Sequence, residues 1–514
     1  MNKHVEFSEP HHPRPQWRSR MGFILAAMGS AVGLGNIWRF SYLCYKNGGG
    51  AFLIPYAIAM VVVGIPLMVL ELGLGHKMRG SAPMSFAKVN RHWEWCGWWA
   101  VTCAMFGIML YYSAVIAWCV NYVFFSINLS WGADTKAFFF QQFLQISDGP
   151  LQIGDIRAPI LLSLMTVWGV CWMIVFFGVQ KGLERANKIF MPLLFCLIAI
   201  LVVWSLNLKG AMEGIRVYLS PDFSQLSRPQ IWIDAFSQIF FSLSLAFGIM
   251  VTYASYLPRK ADIVQDAVVI SIGDCLFSVI AGFAVFGTLG YMAQALGKPV
   301  SEVVTQSIGL AFVTYPEAIS NMPAFSKAFG VIFFSALVLA GLTSGISLVE
   351  AFSAAIIDKF HFSRKTVVSV VCLTGFLGSI IFTAKSGLFW VDILDHFITN
   401  YGLVIIGILE CILVGWVLGA RHLREHVNHA GGIVMTRFWD ISVRVIAPAV
   451  LGILLFNSLH NEFRAPYEGY PWVSIILIGR DWVVGALIVA LFMAMYPWKR
   501  ALESEEGSGL HNKS

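Results

Sequence analysis

The sequence predicts an all-α integral membrane protein of about twelve transmembrane helices, and three observations carry that expectation. Apolar residues make up 57% of the 514 positions and charged residues only 12%, against roughly 25% charged in an average soluble protein. A soluble fold could not bury that much apolar surface without leaving a patch far above the usual few hundred Å². Apolar stretches of about 20 residues recur along the chain, the length needed to cross about 30 Å of hydrocarbon. The basic residues, finally, are dense in alternate loops, as successive crossings require.

The expected spans are 20–42, 50–75, 97–128, 158–177, 189–208, 232–257, 263–294, 328–358, 365–384, 387–418, 436–457 and 475–497. The first follows a polar arm (1–19), is too long for a cleavable leader and lacks a small-residue cleavage site. With both termini cytoplasmic, the inside segments hold about 23 of the 35 Lys and Arg, the excess that the positive-inside rule expects. They include Arg14, Arg18, Arg20, Lys77, Arg79, Lys181, Arg185, Arg259, Lys260, Arg364, Lys365, Arg421, Arg424, Lys499 and Arg500. The nine cysteines stand singly in or beside apolar stretches, so neither a disulfide framework nor a metal cluster is expected.

The first and sixth spans differ from the rest. The first places Gly29, Gly33 and Gly35 within seven residues, followed by Asn36 and Arg39. The sixth places Ser242, Ser244 and Gly248 in a similar window. Glycine weakens a helix, and irregular backbone at membrane depth is tolerated only where it lines a cavity or is buried in protein. The two interruptions lie about 210 residues apart, each opening a run of five spans. Paired broken helices in matching positions point to an inverted-repeat transporter with a midplane site. The expected division is an arm 1–19, a first five-helix repeat 20–208, an inverted second repeat 232–418, peripheral helices in 436–497 and a cytoplasmic tail 498–514.

A series of motifs then follows in order: GSAVGLGNIWRF at Gly29–Phe40, NGGGAFLIPY at Asn47–Tyr56, and Gly64-Ile-Pro66 with Glu71. Later come QIFFSLS at Gln238–Ser244, TYASY at Thr252–Tyr256, AGLTS at Ala340–Ser344, and Asp358. In these residues the chain resembles the neurotransmitter:sodium symporter family, in particular its bacterial leucine-transporter-like amino acid symporters. The resemblance covers roughly residues 14–500 and leaves only the tails outside.

Unwound backbone near Gly33 frees amide N–H groups to receive an anion such as a carboxylate. The resemblance implies that Ala31, Gly33, Leu34 and Gly35 surround the substrate's polar end, with the Tyr112 hydroxyl donating to its carboxylate. Relatives that carry monoamines have an aspartate where this chain has Gly33. A substrate that brings its own carboxylate is therefore expected, with a neutral amino acid the natural class. Its side chain would face Ile108, Phe241, Ser244, Phe247 and Leu348, a largely apolar wall of the usual kind. Ala246 stands where the leucine-transporting branch has glycine, and Gly345 where it has serine. The first narrows the pocket and the second widens it, so the particular amino acid stays open.

Two sodium ions are implied. The first would be held by Asn36, Ser242, Asp274 and the Ala31 carbonyl together with the substrate carboxylate, which would couple the two binding events. The second would take the carbonyls of Gly29, Val32 and Ala340 and the hydroxyls of Thr343 and Ser344, an all-oxygen set suited to a hard cation. Tyr56, Gln238, Ser242 and Ser278 match the groups that hold chloride in chloride-dependent relatives. Asp274 stands where relatives usually have asparagine, one turn from Ser278. A carboxylate there would supply the negative charge, so chloride would not be required.

By the same resemblance Arg39 and Asp395 would form an outer gate, with Tyr112 and Phe241 capping the substrate. Arg14 and Asp358 would form an inner gate supported by Trp17, Ser255 and Tyr256. Glu71, Glu350 and Glu410, in apolar helices, read as structural acids that hold freed backbone groups. His422-Leu-Arg-Glu-His426 has the spacing of a zinc-peptidase motif but sits among arginines at a helix end and reads as interfacial. Asn128-Leu-Ser130 is a glycosylation sequon by spacing alone, and the short cysteine-free loop after it points to a prokaryotic inner membrane.

Together these readings describe a sodium-coupled secondary symporter importing an amino acid by alternating access, with no covalent chemistry and no nucleic acid. A sensor that binds without transport is the main alternative, disfavoured by the short tails. An intramembrane enzyme lacks a converging nucleophile and base, and a channel is disfavoured by two gates. Oligomeric state and stoichiometry stay open.

Overall fold

The computed structural model describes residues 14–304, 307–429 and 432–499. The expected arm before Arg14 and the tail from Arg500 onward lie outside the described residues. Every regular element described is helical, apart from one isolated bridge between Ile156 and Ala384.

Ten helices are long and apolar enough to cross a membrane. They are α2 (Gly49–Met78), α3 (Arg91–Asn128), α4 (Ala158–Phe176), α5 (Val179–Leu206), α7 (Ile263–Leu296), α8 (Ser326–Phe360), α9 (Arg364–Thr383), α10 (Gly387–Asn428), α11 (Arg437–Gly469) and α12 (Trp472–Met495). An eleventh span, α1, is a pair of helices, Arg20–Ala31 and Leu34–Lys46, bent by 54° at the break. The sixth segment, α6, is also in two pieces, Pro229–Ser242 and Ile249–Ala254, and neither is long enough to cross alone.

The chain ends settle how α6 should be counted. Arg14 pairs with Asp358 at the C-terminal end of α8, and the Lys499 amide donates to the Lys359 carbonyl beside it. Both described ends therefore lie at one end of the bundle, which demands an even number of crossings. Eleven is odd. The two pieces of α6 make the twelfth.

α3 and α8 form the centre. Fully 83% of the most apolar stretch of α3 is buried, against 28% for α11 and α12. The two central helices pack through Tyr122 on Phe334 and Phe106 on Phe352, with ring centroids 4.9 and 5.1 Å apart. Gly341 allows their closest approach, since a Cβ there would lie 2.5 Å from the Ile116 side chain. Large apolar side chains such as Leu162, Val203, Phe456 and Phe463 stand exposed on the outer helices. A hydrocarbon solvent, which does not penalise apolar exposure, accounts for that belt.

Several boundaries differ from expectation. α5 starts ten residues early because Glu184, Arg185 and Lys188 continue the helix through its interface turn, with Lys188 on Glu184 at 2.6 Å. α10 and α11 run on to Asn428 and Gly469. Short helices at Ala82–Val89, Ala211–Leu219 and Tyr315–Ser320 occupy segments read as loops. They are too short to show a full apolar period.

Candidate functional site

Ser19 opens α1 by accepting from the Gly22 amide at 3.1 Å. The helix stops at Ala31, where the Val32 amide still reaches the Met28 carbonyl at 2.7 Å, and restarts at Leu34 with Gly33 as its cap. The Asn36 side-chain oxygen accepts from the Gly33 amide at 2.9 Å, and the Tyr112 hydroxyl accepts from the Leu34 amide at 3.2 Å. The break thus aims the first amides of a helix, its positive end, toward Tyr112.

In α6 the unwound stretch runs from Leu243 to Gly248. Ser244 and Ala246 both adopt left-handed backbone, at φ 52° and 67°. That conformation costs an L residue about 1–2 kcal/mol, so something must hold it. Glu71 of α2 does so by accepting from the Ala246 amide at 2.7 Å, and the Ser244 hydroxyl donates to the Ser30 carbonyl at 3.0 Å. The two breaks are stitched together directly.

Between them lies a cavity of about 240 Å³. Ten of the twelve expected substrate residues line it: Ala31, Gly33, Leu34, Gly35, Ile108, Tyr112, Phe241, Ser244, Phe247 and Leu348. Ala246 and Gly345 do not. Ala246 is turned to Glu71, and a Cβ on Gly345 would meet Met109 and Cys171 rather than the cavity. One residue along α8 from Ser344 is a rotation of about 100°, which takes Gly345 off the wall. The wall also includes Ser30, Trp38, Tyr111, Ile249, Ile308, Val391, Asp392 and Thr399, which the sequence reading missed. A second tyrosine beside Tyr112 was the one available signal for Tyr111.

The groups expected at the second sodium site converge. The Ser344 hydroxyl lies 3.3 Å from the Gly29 carbonyl, 3.4 Å from Val32, 3.3 Å from Ala340 and 3.2 Å from Ser30. Thr343 Oγ1 is 3.0 Å from the Ala340 carbonyl. One hydroxyl proton cannot satisfy four carbonyls. The surplus of lone pairs at one point is the donor set a hard cation takes.

The first-site groups also assemble, with one difference. Asn36 Nδ2 faces Ser242 Oγ at 2.8 Å, Asp274 Oδ1 at 2.7 Å and Ser278 Oγ at 2.8 Å, while Ser242 donates to Asp274 Oδ2 at 2.5 Å. Asp274 and Ser242 offer oxygens here. Asn36 presents its amide nitrogen, so ligation through Asn36 requires its side chain to turn. Ala31 stands on the adjoining cavity wall. Tyr56 and Gln238 are buried nearby, and Gln238 Oε1 has no hydrogen-bond partner among the described residues.

The two expected gate pairs are unlike. Arg14, which does not line the cavity, pairs with Asp358 at 2.8 Å and donates to Ser255 Oγ at 3.0 Å, lying 5.1 Å from the Tyr256 ring centroid. Trp17 reaches the Tyr253 and Tyr256 carbonyls at 2.9 and 3.1 Å. Burial works hardest against the Arg14 charge, but Asp358, Tyr256 and Glu350 together outweigh it and hold the guanidinium above its ordinary pKa. At the outer end Arg39 and Asp395 line the same cavity, and no ion pair joins them among the described residues. Arg39 lies over the Phe241 ring at 5.0 Å and donates to Ser237 at 3.2 Å, while Asp395 accepts from Tyr111.

Of the remaining intramembrane acids, Glu350 is engaged by the Arg364 and Tyr256 side chains rather than by the freed backbone expected for it, and Glu410 is buried with Oε1 unpartnered among the described residues. Among the described residues no group of three or more His, Cys, Asp and Glu side chains is placed to hold a metal ion, and His422-Leu-Arg-Glu-His426 forms none. The nine cysteines are free thiols.

Comparison with known proteins gives a consistent result. Residues 14–136 and 132–501 match the sodium:neurotransmitter symporter family. The chain is 48% identical over 478 residues to an uncharacterized sodium-dependent transporter of Methanocaldococcus jannaschii, covering 93% of this chain and 96% of that one. It is 30% identical over 520 residues to the sodium-dependent dopamine transporter of Caenorhabditis elegans, covering 90% of this chain and 84% of the relative.

Proposed function

This chain belongs to the sodium:neurotransmitter symporter family, a family of sodium-dependent membrane transporters and not of enzymes, and from that premise we propose that it imports a neutral amino acid by alternating access. The observation that carries the reading is the cage of carbonyls around Ser344, set against a cavity into which a broken helix turns its positive end. Sodium in the cage ties α1 to α8, and a carboxylate at Gly33–Leu34 completes the cavity.

The choice of an amino acid over a monoamine rests on charge. Position 33 is glycine, and the two aspartates on the cavity wall are already engaged, Asp392 by Tyr467 and Tyr470 and Asp395 by Tyr111. A cationic amine without its own carboxylate would find no open counter-charge there. The C. elegans relative carries dopamine by name, and that substrate does not transfer to this pocket.

Two sodium ions are moved, the second in the Ser344 cage and the first beside Asp274, whose charge replaces chloride. Arg14–Asp358 is the closed inner gate, and Arg39 and Asp395 close the outer one. Residues 20–208 and 232–418 are the inverted repeats, with 436–497 peripheral and the arm 1–19 and tail 498–514 cytoplasmic. The home is a prokaryotic plasma membrane.

Uptake of a labelled amino acid mixture into proteoliposomes, under an inward sodium gradient and with potassium in its place, tests the reading. Sodium-dependent accumulation above equilibrium supports it and identifies the substrate. Specific binding without accumulation, in vesicles shown to be tight, makes the protein a sensor on the same scaffold.

A further inference from the structure

A cavity that the transport cycle leaves unused opens at the inner end, about 820 Å³ between the end of α2, the turn after α6 and the end of α10. Its charge is one-sided. Lys77 and Arg79 enter from α2, and Arg259 and Lys260 from the turn. The one carboxylate on its wall, Glu425, is taken by Arg421 at 2.6 Å. Arg259 and Lys260 are exposed and form no ion pair among the described residues.

The floor is fixed by histidine. His76 and His426 face each other at 2.9 Å, and the other ring nitrogen of His76 meets the Pro258 carbonyl at 3.0 Å. Three separate elements are thereby held so that their cationic ends converge on one space. His422 and His429 add two more ring donors to the rim.

We propose that this cavity binds a phosphate-bearing ligand. Lys77, Arg259 and Lys260 form no ion pair among the described residues; like charges held together repel one another, and a multivalent anion relieves that repulsion. Arginine and lysine in mixture suit phosphate, the guanidinium by paired N–H donors and the ammonium as a point charge. The cavity sits at the ends of membrane-crossing helices, where both an anionic lipid headgroup and a soluble phosphate compound can reach it. Arg79 links the cavity to the segment on which the inner ion pair rests. Arg79 donates to the Leu257 carbonyl, and Arg14 of the inner ion pair donates to Ser255 two residues earlier. Occupancy therefore steadies the 255–258 segment against which the inner end closes.

The test needs no transport assay, so its failure is separate from failure of the symport reading. The full chain in neutral phosphatidylcholine nanodiscs is titrated with inorganic pyrophosphate at constant ionic strength, and thermal unfolding is followed. A parallel sample, purified from vesicles containing phosphatidylglycerol, is examined by native mass spectrometry for retained lipid. The comparison variant is Arg259→Gln with Lys260→Gln, both exposed positions, and each protein's response is read against its own unliganded midpoint. The expected result is a dose-dependent rise in midpoint, retained lipid, or both, with the variant at least tenfold weaker. A pyrophosphate response alone identifies a soluble phosphate compound, and retention alone identifies a headgroup. Silence in both arms, or equal responses in wild type and variant, overturns the proposal.

Discussion

Asp274→Asn is the substitution with the sharpest consequence. The carboxylate is fully buried and accepts from Asn36 Nδ2 at 2.7 Å and Ser242 Oγ at 2.5 Å. Asparagine has the same shape and keeps one acceptor, so packing is preserved while one negative charge is lost. A sodium ion about 4 Å from a unit charge, at an effective dielectric of about 20, is favoured by about 4 kcal/mol. At 1.4 kcal/mol per decade that is about three decades of sodium affinity, of which solvent and relaxation leave about two. The new amide also offers donors beside Ser278, Tyr56 and Gln238, where an anion could settle. Uptake into proteoliposomes is measured against sodium, with chloride or with gluconate. The wild type is expected to be indifferent to chloride. The variant is expected to need about a hundredfold more sodium in gluconate and to return to within about tenfold of wild type in chloride. Loss of wild-type uptake on removing chloride refutes the reasoning, as does a variant with unchanged sodium dependence in both salts.

Substitutions at four further positions probe the same architecture. Ala246→Gly relieves the left-handed backbone at φ 67° and should raise stability by about 1 kcal/mol in detergent unfolding; a lower midpoint would show that the alanine is not strained. Glu71→Leu strands the Ala246 amide and should cost about 1–3 kcal/mol, whereas Glu71→Gln keeps an acceptor and should lose far less. Equal losses would mean that the charge matters and the hydrogen bond does not. Ser344→Ala removes one oxygen from the cage and should raise half-saturating sodium about tenfold, the equivalent of about 1.4 kcal/mol, with binding isotherms as the check. Arg14→Ala breaks the pair with Asp358 and should shift the gate by about 1 kcal/mol, roughly fivefold, read as labelling of Ser255→Cys from the inner side.

The breaks in α1 and α6 were legible because glycine and serine clusters stand out in an apolar background, and because the two clusters recur at matching places. Ile108 and Tyr112, and Ser344 and Leu348, which the family resemblance implied, stand four residues apart and were found on one wall. Ala246 and Gly345 stand off the cavity wall for different physical reasons. Ala246 sits in unwound backbone, where no period predicts which way a side chain turns, and Gly345 is one step off the facing stripe of α8. The upper wall, formed by Tyr111, Asp392 and Thr399, comes from partners on α3 and α10 whose packing only the tertiary fold decides. The early start of α5 was hidden because charged residues at a helix end resemble a loop until their partners are seen.

The unlike gate pairs also have a physical explanation. The proposed inner closure is a cluster: Arg14 on Asp358 and Ser255, Trp17 on two carbonyls, and the Ser81 amide on the second Asp358 oxygen at 2.8 Å. Such contacts reinforce one another, so losing one leaves the rest in place. The outer pair has no such support. To meet, Arg39 must leave Ser237 and Asp395 must leave Tyr111, exchanging one modest interaction for another of about 0–1 kcal/mol. Closure on those terms is nearly neutral and needs a bias from below. Phe241 can supply it, because its ring both walls the cavity and lies beneath the Arg39 guanidinium. On the proposed gating, a substrate that repositions the ring repositions the cation above it, so filling the site and closing the outer gate would become one event. Phe241→Leu, which keeps the wall apolar but removes the ring face, should therefore leave substrate binding within a few fold and slow uptake by about tenfold or more. Uptake falling only in proportion to binding would sever that link.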